Sequence, residues 1–357
     1  MSNPKKSKIL LAGGGTGGHL FPAQALAREL TEVDLLFAGS GLSKNRYFQK
    51  ELFSYREIHS GTFLTSNLKR NLKGVGALTQ GFYQSFQLFK EFAPDLVIGF
   101  GSYHIFPLLL AARLKKIPII LFASDAIPGK VIRFFSKKAL ISAVQFEEAK
   151  NYLKGRSAVV NMPFWSSGDP YLSKSEAKAY YQLDPTLFTL LIFGGSQGAL
   201  ALNQIAAQIS LKKPFQVLHF VGHEKNKEEI EKIYQERRIK ACVKAFEDKM
   251  HYAWKAADLA LCRAGAATLS EMLFYEVPAI LVPYPYAADD HQKRNAQIFE
   301  KKIGGAKMVL EKELTPETLS QLIEELPFLK MRENLALFKQ NEKKESLSTL
   351  IKTYLNL

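Results

Sequence analysis

The chain has 357 residues, 47% hydrophobic and 23% charged, too many for one ordinary core and suited to two globular domains. Its 48 basic and 34 acidic residues leave a net charge of +14, which fits nucleic acid, an anionic membrane face or a phosphorylated substrate as partner, or serves solubility alone. Two cysteines, Cys242 and Cys262, exclude a disulfide framework and a zinc cluster and fit a reducing cytoplasm.

The opening MSNPKKSKILLAGGG lacks a long apolar segment of its own and reads as a first strand rather than a signal peptide. No run of about 18 apolar residues follows that would span a bilayer. Short apolar runs, KILLAGG, VDLLFAGS, PDLVIGFG and IPIILFA, then TLLIFGG, FQVLHFVG, ADLALCR and PAILVPY, alternate with longer amphipathic stretches. Such runs suit buried parallel strands, and several end in glycine, as a strand entering a tight loop before a helix does. The rhythm is that of a doubly wound α/β fold, and it occurs twice. Between the two series, residues 159–173 (VVNMPFWSSGDPYLS) cluster Pro, Gly and Ser and mark the linker. From Thr315 the pattern is helical, with Pro316 in a first turn, and ESLSTLIKTYLNL ends the chain as an amphipathic helix. The missing RNP-like, zinc-finger and helix-turn-helix signatures argue against nucleic acid.

AGGGTGGHLFPAQALAREL places Gly13, Gly15 and Gly18 between a strand and a helix, matching the dinucleotide fingerprint G-x-G-x-x-G. Glycines there let backbone N–H groups and the helix N-terminus meet an anion, although tight packing alone produces the same turn. Two features argue against a dinucleotide. The second strand ends at Gly39 and Ser40, without the acid that binds a ribose, and His19 directly follows the last glycine. A second turn of this kind, TLLIFGGSQGALALNQ, sets Gly194, Gly195, Ser196, Gln197 and Gly198 between strand and helix, without the G-K-[ST] ending of a P-loop. A third, IGFGSYHIFP, carries Gly99 and Gly101. Three such turns on two domains predict a cleft that grips an anionic ligand.

Residues 262–296 are the most informative stretch. Thr268 and Glu271, three apart, share a face near the start of a helix. A carboxylate there can accept both vicinal hydroxyls of a ribose, although a glutamate in that place also simply complements the helix dipole. Beyond the strand PAILVPYP, His291, Gln292 and Asn295 offer directional hydrogen bonds without negative charge. With the glycine loop they form the pattern of a nucleotide-sugar pocket.

In their order along nearly the whole chain, GGTGGHLFPA, GGSQGALALN, RAGAATLSE and HQKRNA resemble the motifs of the MurG family, bacterial N-acetylglucosaminyltransferases that convert lipid I to lipid II in peptidoglycan synthesis. The resemblance implies an α/β GT-B fold: two Rossmann-like, doubly wound domains facing a central cleft, with no cofactor, no obligatory metal and inversion at the anomeric carbon. On that footing residues 1–162 form the acceptor and membrane-facing domain and residues 163–340 bind UDP-GlcNAc. Residues 341–357 form a helix packed back on the first domain.

The resemblance further implies site residues. Ser196, Gln197 and Ala266 meet the diphosphate or sugar, and the backbone at Phe246 and Glu247 reads the uracil. Glu271 binds the ribose, Gln292 holds the sugar hydroxyls, and Asn295 belongs to the same donor pocket. On the acceptor side stand Thr16, Gly17, Gly18, Gly101, Tyr103 and Asp125, with His19 as general base, a role that imidazole side chains suit near neutrality. The chain departs from the family in three places: Phe122–Asp125 replace His-Glu-Gln-Asn, Trp165 replaces an arginine, and Ser102 replaces a glycine. The first two keep open a nucleotide-sugar-binding cell-wall scaffold with weak catalysis; another GT-B lipid glycosyltransferase is a separate alternative.

The acceptor is lipid-linked, so the resemblance also implies peripheral attachment to the cytoplasmic face of the inner membrane, beside other cell-wall synthesis proteins. Lys69, Arg70, Lys73 and Lys90 with Leu72, Val75, Leu78, Phe82, Phe86 and Phe89 are candidates for that contact. So are Lys130, Arg133, Phe134, Phe135, Lys137 and Lys138. A stripe of Phe and Leu along a helix is equally the signature of core.

Overall fold

Each half of the chain is built on a parallel sheet whose central strands are buried on both faces, which is why they read as unbroken apolar runs. The structure is a computed structural model that describes residues 6–61, 68–164, 171–195, 198–342 and 344–357. It divides into two units, Met1–Trp165 with Lys344–Leu357, and Ser166–Lys343.

In the first unit the strands are β1 (Lys8–Ala12), β2 (Asp34–Gly39), β3 (Tyr55–Glu57), β4 (Leu96–Gly99), β5 (Ile119–Ala123), β6 (Ile141–Val144) and β7 (Ser157–Asn161), in the spatial order 7-6-5-4-1-2-3. Helices α1 (Gly17–Glu29), α2 (Leu68–Glu91), α3 (Phe106–Leu114) and α4 (Lys130–Ser136) connect them. One core cluster gathers Leu10, Val97 and Leu121 with Leu108 of α3, and another on the opposite face gathers Leu11, Ile98 and Ile120 with Leu20 and Leu26 of α1. Winding reverses between β1 and β4, which pair in parallel from Ile9 opposite Leu96 to Ala12 opposite Gly99. In open α/β sheets that reversal, at the carboxyl ends of the strands, is where ligands bind.

The second unit repeats the plan with β8 (Phe188–Phe193), β9 (Phe215–Phe220), β10 (Lys240–Lys244), β11 (Leu259–Cys262), β12 (Ala279–Leu281) and β13 (Ala306–Met308), in the order 10-9-8-11-12-13. Here the reversal lies between β8 and β11, paired up to Phe193 opposite Cys262. Its helices are α5 (Lys174–Tyr180), α6 (Leu200–Ala207), α7 (Glu224–Glu236), α8 (Met250–Ala256), α9 (Ala266–Tyr275), α10 (His291–Ile298), α11 (Pro316–Glu325) and α12 (Phe328–Asn341). Pro316 occupies the first turn of α11, whose cap Thr315 accepts a hydrogen bond from the Thr318 amide.

The C-terminal segment belongs to the first unit. β14 (Glu345–Ser346) adds to β7, and α13 (Leu347–Leu355) buries Leu347 and Ile351 against the α1 side of the core. Ser348 donates to Glu29 of α1, and Lys352 pairs with Glu32 at 3.0 Å.

Candidate functional site

Both glycine loops leave the carboxyl ends of the strands that flank a reversal. In the first unit, β1 runs into Gly13–Gly15 and β4 into Phe100–Gly101. The amide of Gly13 donates to Ala38 O at 3.1 Å, and a β-carbon on Gly39 would lie 1.8 Å from Gly13 O. Gly39 is therefore needed for the strand ends to meet, and the acid that binds a ribose in a dinucleotide site cannot stand at that position.

Thr16 caps α1, and Gly17 and Gly18 open its first turn, where amides have no intrahelical acceptor. His19, on that same turn, is half-buried and lies against Gly101, whose φ of +87° is open to glycine and little else. Tyr103 is partly exposed, its carbonyl accepting from Ser60 Oγ at 2.7 Å, and Asp125 is half-buried just beyond β5.

Asn45 and His104 hold this loop and Glu57 the neighbouring turn after β2, and none of the three stands among the residues singled out from the sequence. Asn45 Nδ2 donates to Gly15 O at 2.6 Å, and Glu57 accepts from the amides of Gly41 and Ser43. The His104 ring packs on Gly14 and Gly15, its Nε2 3.3 Å from the place of a Gly15 β-carbon. Burial lowers the His104 pKa, against a hydrogen bond to the Ser40 carbonyl and the charge of Glu57 that raise it, so the ring is neutral at pH 7. Ser102 carries the turn at φ 76°, ψ 150°, a region essentially restricted to glycine.

In the second unit, Gly194 and Gly195 follow β8 and lead toward α6; Ser196 and Gln197 lie outside the described residues. Beyond β11, Gly265 caps α9, and Ala266 opens it, 5% exposed. Glu271 is half-buried one turn further on and accepts from Trp254 Nε1 at 2.8 Å. Burial raises its carboxyl to about 7, opposed by that hydrogen bond. Arg263 is not available to a ligand: it is 8% exposed, donates to Val282 O and Pro283 O, and pairs with Glu311.

The remaining donor-side positions divide. Phe246 is 51% exposed, whereas the Glu247 side chain is turned inward. Although burial opposes it, hydrogen bonds from Lys244 and the Lys249 amide hold the Glu247 carboxyl below its ordinary pKa, and Tyr181 donates to it at 3.1 Å. The Glu247 side chain is thus committed inside the unit. Gln292 is half-buried, its Oε1 accepting from the Tyr284 amide at 2.9 Å, which leaves its amide nitrogen for other partners. Asn295, expected in the donor pocket, is 0% exposed, and its Nδ2 donates to Ala264 O at 3.1 Å, so this side chain fixes the loop before α9 rather than facing a ligand.

The basic and aromatic stretch divides as well. Phe89 and Phe135 are buried, and Phe82 and Phe86 pack half-buried on the first core, so much of the stripe is interior. Val75 and Phe134 are exposed, at 50% and 58%, with Lys73, Lys90, Lys130, Lys137 and Lys138 also exposed. The side chains of Lys69, Arg70 and Leu72 lie outside the described residues, as does Trp165. Among the described residues no helix is long and apolar enough to cross a membrane.

Comparison with known proteins assigns a family domain to each half of the chain. Residues 9–143 match the glycosyltransferase family 28 N-terminal domain, and residues 189–354 match the family 28 C-terminal domain. A relative from Protochlamydia amoebophila is 38% identical over 89% of this chain and 86% of its own length, and one from Chlamydia muridarum is 36% identical over 89% of each. Both are named UDP-N-acetylglucosamine–N-acetylmuramyl-(pentapeptide) pyrophosphoryl-undecaprenol N-acetylglucosamine transferase. The crystal structure of Acinetobacter baumannii MurG superposes with a TM-score of 0.75 at 27% identity, covering 98% of each chain. The chain therefore belongs to glycosyltransferase family 28, among the MurG-type N-acetylglucosaminyltransferases of the GT-B fold.

Proposed function

We propose that the chain transfers GlcNAc from UDP-GlcNAc to the 4-hydroxyl of the MurNAc residue of lipid I, inverting the anomeric carbon and releasing UDP. The observation that carries this reading is the coupling, on α9, of a helix N-terminus free of acidic residues with a half-buried carboxylate, Glu271, one turn on. A diphosphate suits the first and a ribose diol the second. The names of the relatives, which specify both substrates, support the same pair.

In the first unit, Gly14–Gly18 present backbone amides to the acceptor diphosphate, and His19 takes the proton of the attacking hydroxyl. As the C1–O bond to UDP breaks, the charge left on the β-phosphate is stabilised by the N-termini of α9 and α6. Asp125, Tyr103 and Gly101 complete the acceptor side. Ser196, Gln197 and the amide of Gln292 hold the donor diphosphate and sugar. The acceptor's lipid is met by the exposed Phe134, Val75 and surrounding lysines at the cytoplasmic membrane face.

Two variants test the division of labour with labelled UDP-GlcNAc and a lipid I analogue. Glu271→Ala should raise the donor KM by tenfold or more, about the loss of one charged hydrogen-bonding group. His19→Ala should lower kcat and leave UDP binding intact. Full turnover in His19→Ala contradicts the base assignment, and unchanged donor KM in Glu271→Ala contradicts the ribose assignment.

A further inference from the structure

We propose that Trp254 is a positioning residue for the donor ribose: its indole N–H holds one oxygen of the Glu271 carboxylate and leaves the other to the vicinal hydroxyls. This deepens the donor assignment above and rests on it. Trp254 comes from α8 and is 0% exposed, and its ring meets Phe193, the last residue of β8, edge-on at 5.5 Å between centroids. Wedged between the end of that strand and α9, the indole has no other rotamer to adopt without opening the core. Its Nε1 donates to Glu271 Oε2 at 2.8 Å, so the direction of that bond is fixed by packing. A carboxylate offers about four acceptor positions. The indole takes one of them on Oε2 and leaves those of Oε1 for the two hydroxyls of a ribose.

The same bond favours the ionised form of Glu271. Burial raises its carboxyl to about 7, and the indole opposes the rise. The titratable groups that face it, Cys262 on β11 and Tyr275 on α9, are both pushed up by burial and so are uncharged at neutrality. Lys339 of α12 is engaged at the other end of α9, with Glu276 and the carbonyl of Phe274. Trp254 is thus the polar neighbour that keeps Glu271 able to accept two hydroxyl protons near pH 7.

Calorimetric titration of UDP into the wild type, Glu271→Gln and Trp254→Phe between pH 6 and 9 tests this. Wild-type affinity should fall as the pH drops below about 7, and Glu271→Gln should lack that inflection, retaining only the titration of the UDP phosphate itself. Loss of one hydrogen bond to a charged group should move the inflection up by about one pH unit in Trp254→Phe, weakening UDP about fivefold at pH 7 and little at pH 9. An equal loss at every pH overturns the proposal and leaves the donor assignment standing. Wild-type affinity in Glu271→Gln at every pH overturns the donor assignment itself. Should Trp254→Phe fail to fold, the wild type still decides, because only two tryptophans are present. The Trp254 indole N–H resonance should follow the Glu271 titration and lose that dependence in Glu271→Gln; a pH-invariant resonance in the wild type overturns the proposal.

Discussion

The imidazole of His19 rests on the backbone of Gly101: a β-carbon on Gly101 would stand 3.3 Å from His19 Cε1 and 3.4 Å from Nδ1. The loop after β4 thereby sets the position of a side chain that α1 supplies. Gly101→Ala adds a methyl group to that contact and meets a φ of +87°, a conformation that costs L-residues about 1–2 kcal/mol. It should lower kcat for transfer while leaving UDP affinity unchanged, since the donor assignment lies on the other unit. Steady-state kinetics beside UDP calorimetry checks this; unchanged kcat in a folded Gly101→Ala contradicts the role given to that contact.

Ser102, next in the chain, holds φ 76° and ψ 150° with a side chain in place. Its Oγ accepts from the His104 amide at 3.4 Å, too long to offset strain of about 1–3 kcal/mol. Ser102→Gly should therefore stabilise the protein by about 1 kcal/mol, read as a higher urea midpoint at unchanged m-value. A lower midpoint would show that the hydroxyl contributes more than the strain removes.

His219 is fully buried on β9, its ring nitrogens facing Tyr234 Oη at 3.0 Å and Asn203 Oδ1 at 3.1 Å, and burial pushes its pKa down to about 3. The unfolded chain binds this proton near pH 6.5 and the folded chain does not, so stability present above 6.5 is lost as the pH falls toward 3. The slope from this residue reaches about 1.4 kcal/mol per pH unit. In His219→Gln that contribution is absent, so the stability gap between wild type and variant, measured by denaturant at pH 7, 6 and 5, should narrow on acidification. A constant gap contradicts the account of a neutral buried imidazole.

Phe134 and the exposed lysines at 130, 137 and 138 lie on or beside one short helix. Co-sedimentation with phosphatidylglycerol vesicles should weaken as salt rises and fall further in Phe134→Ser with Lys137→Glu, each basic residue contributing about 1 kcal/mol at the surface. Binding indifferent to anionic lipid and to salt contradicts this face as the membrane contact.

The doubled α/β plan was legible in the sequence because strands flanking each reversal are buried on both faces and carry almost only apolar residues, Lys8 at the start of β1 and the buried Thr189 of β8 being the polar ones. Edge strands escaped the same pattern: β3 is YRE, β10 is KACVK and β13 is AKM, each with polar residues that a half-covered strand tolerates. The motifs marked where the loops lie, since glycine at Gly39 or Gly101 answers to local geometry. They did not reveal the side chains around them. Asn45 and His104 reach the first glycine loop, and Glu57 the turn after β2, from distant segments, and no spacing encodes those meetings. Asn295 shows the converse, a polar residue in a motif whose side chain serves the loop before α9.

The most direct measurement of the central claim is the product itself. Incubated with isotopically labelled UDP-GlcNAc and a lipid I analogue, the protein should release UDP and form a disaccharide whose new anomeric proton shows the coupling of a β linkage to the MurNAc 4-hydroxyl. Donor bound without any disaccharide, or an α-linked product, would contradict it.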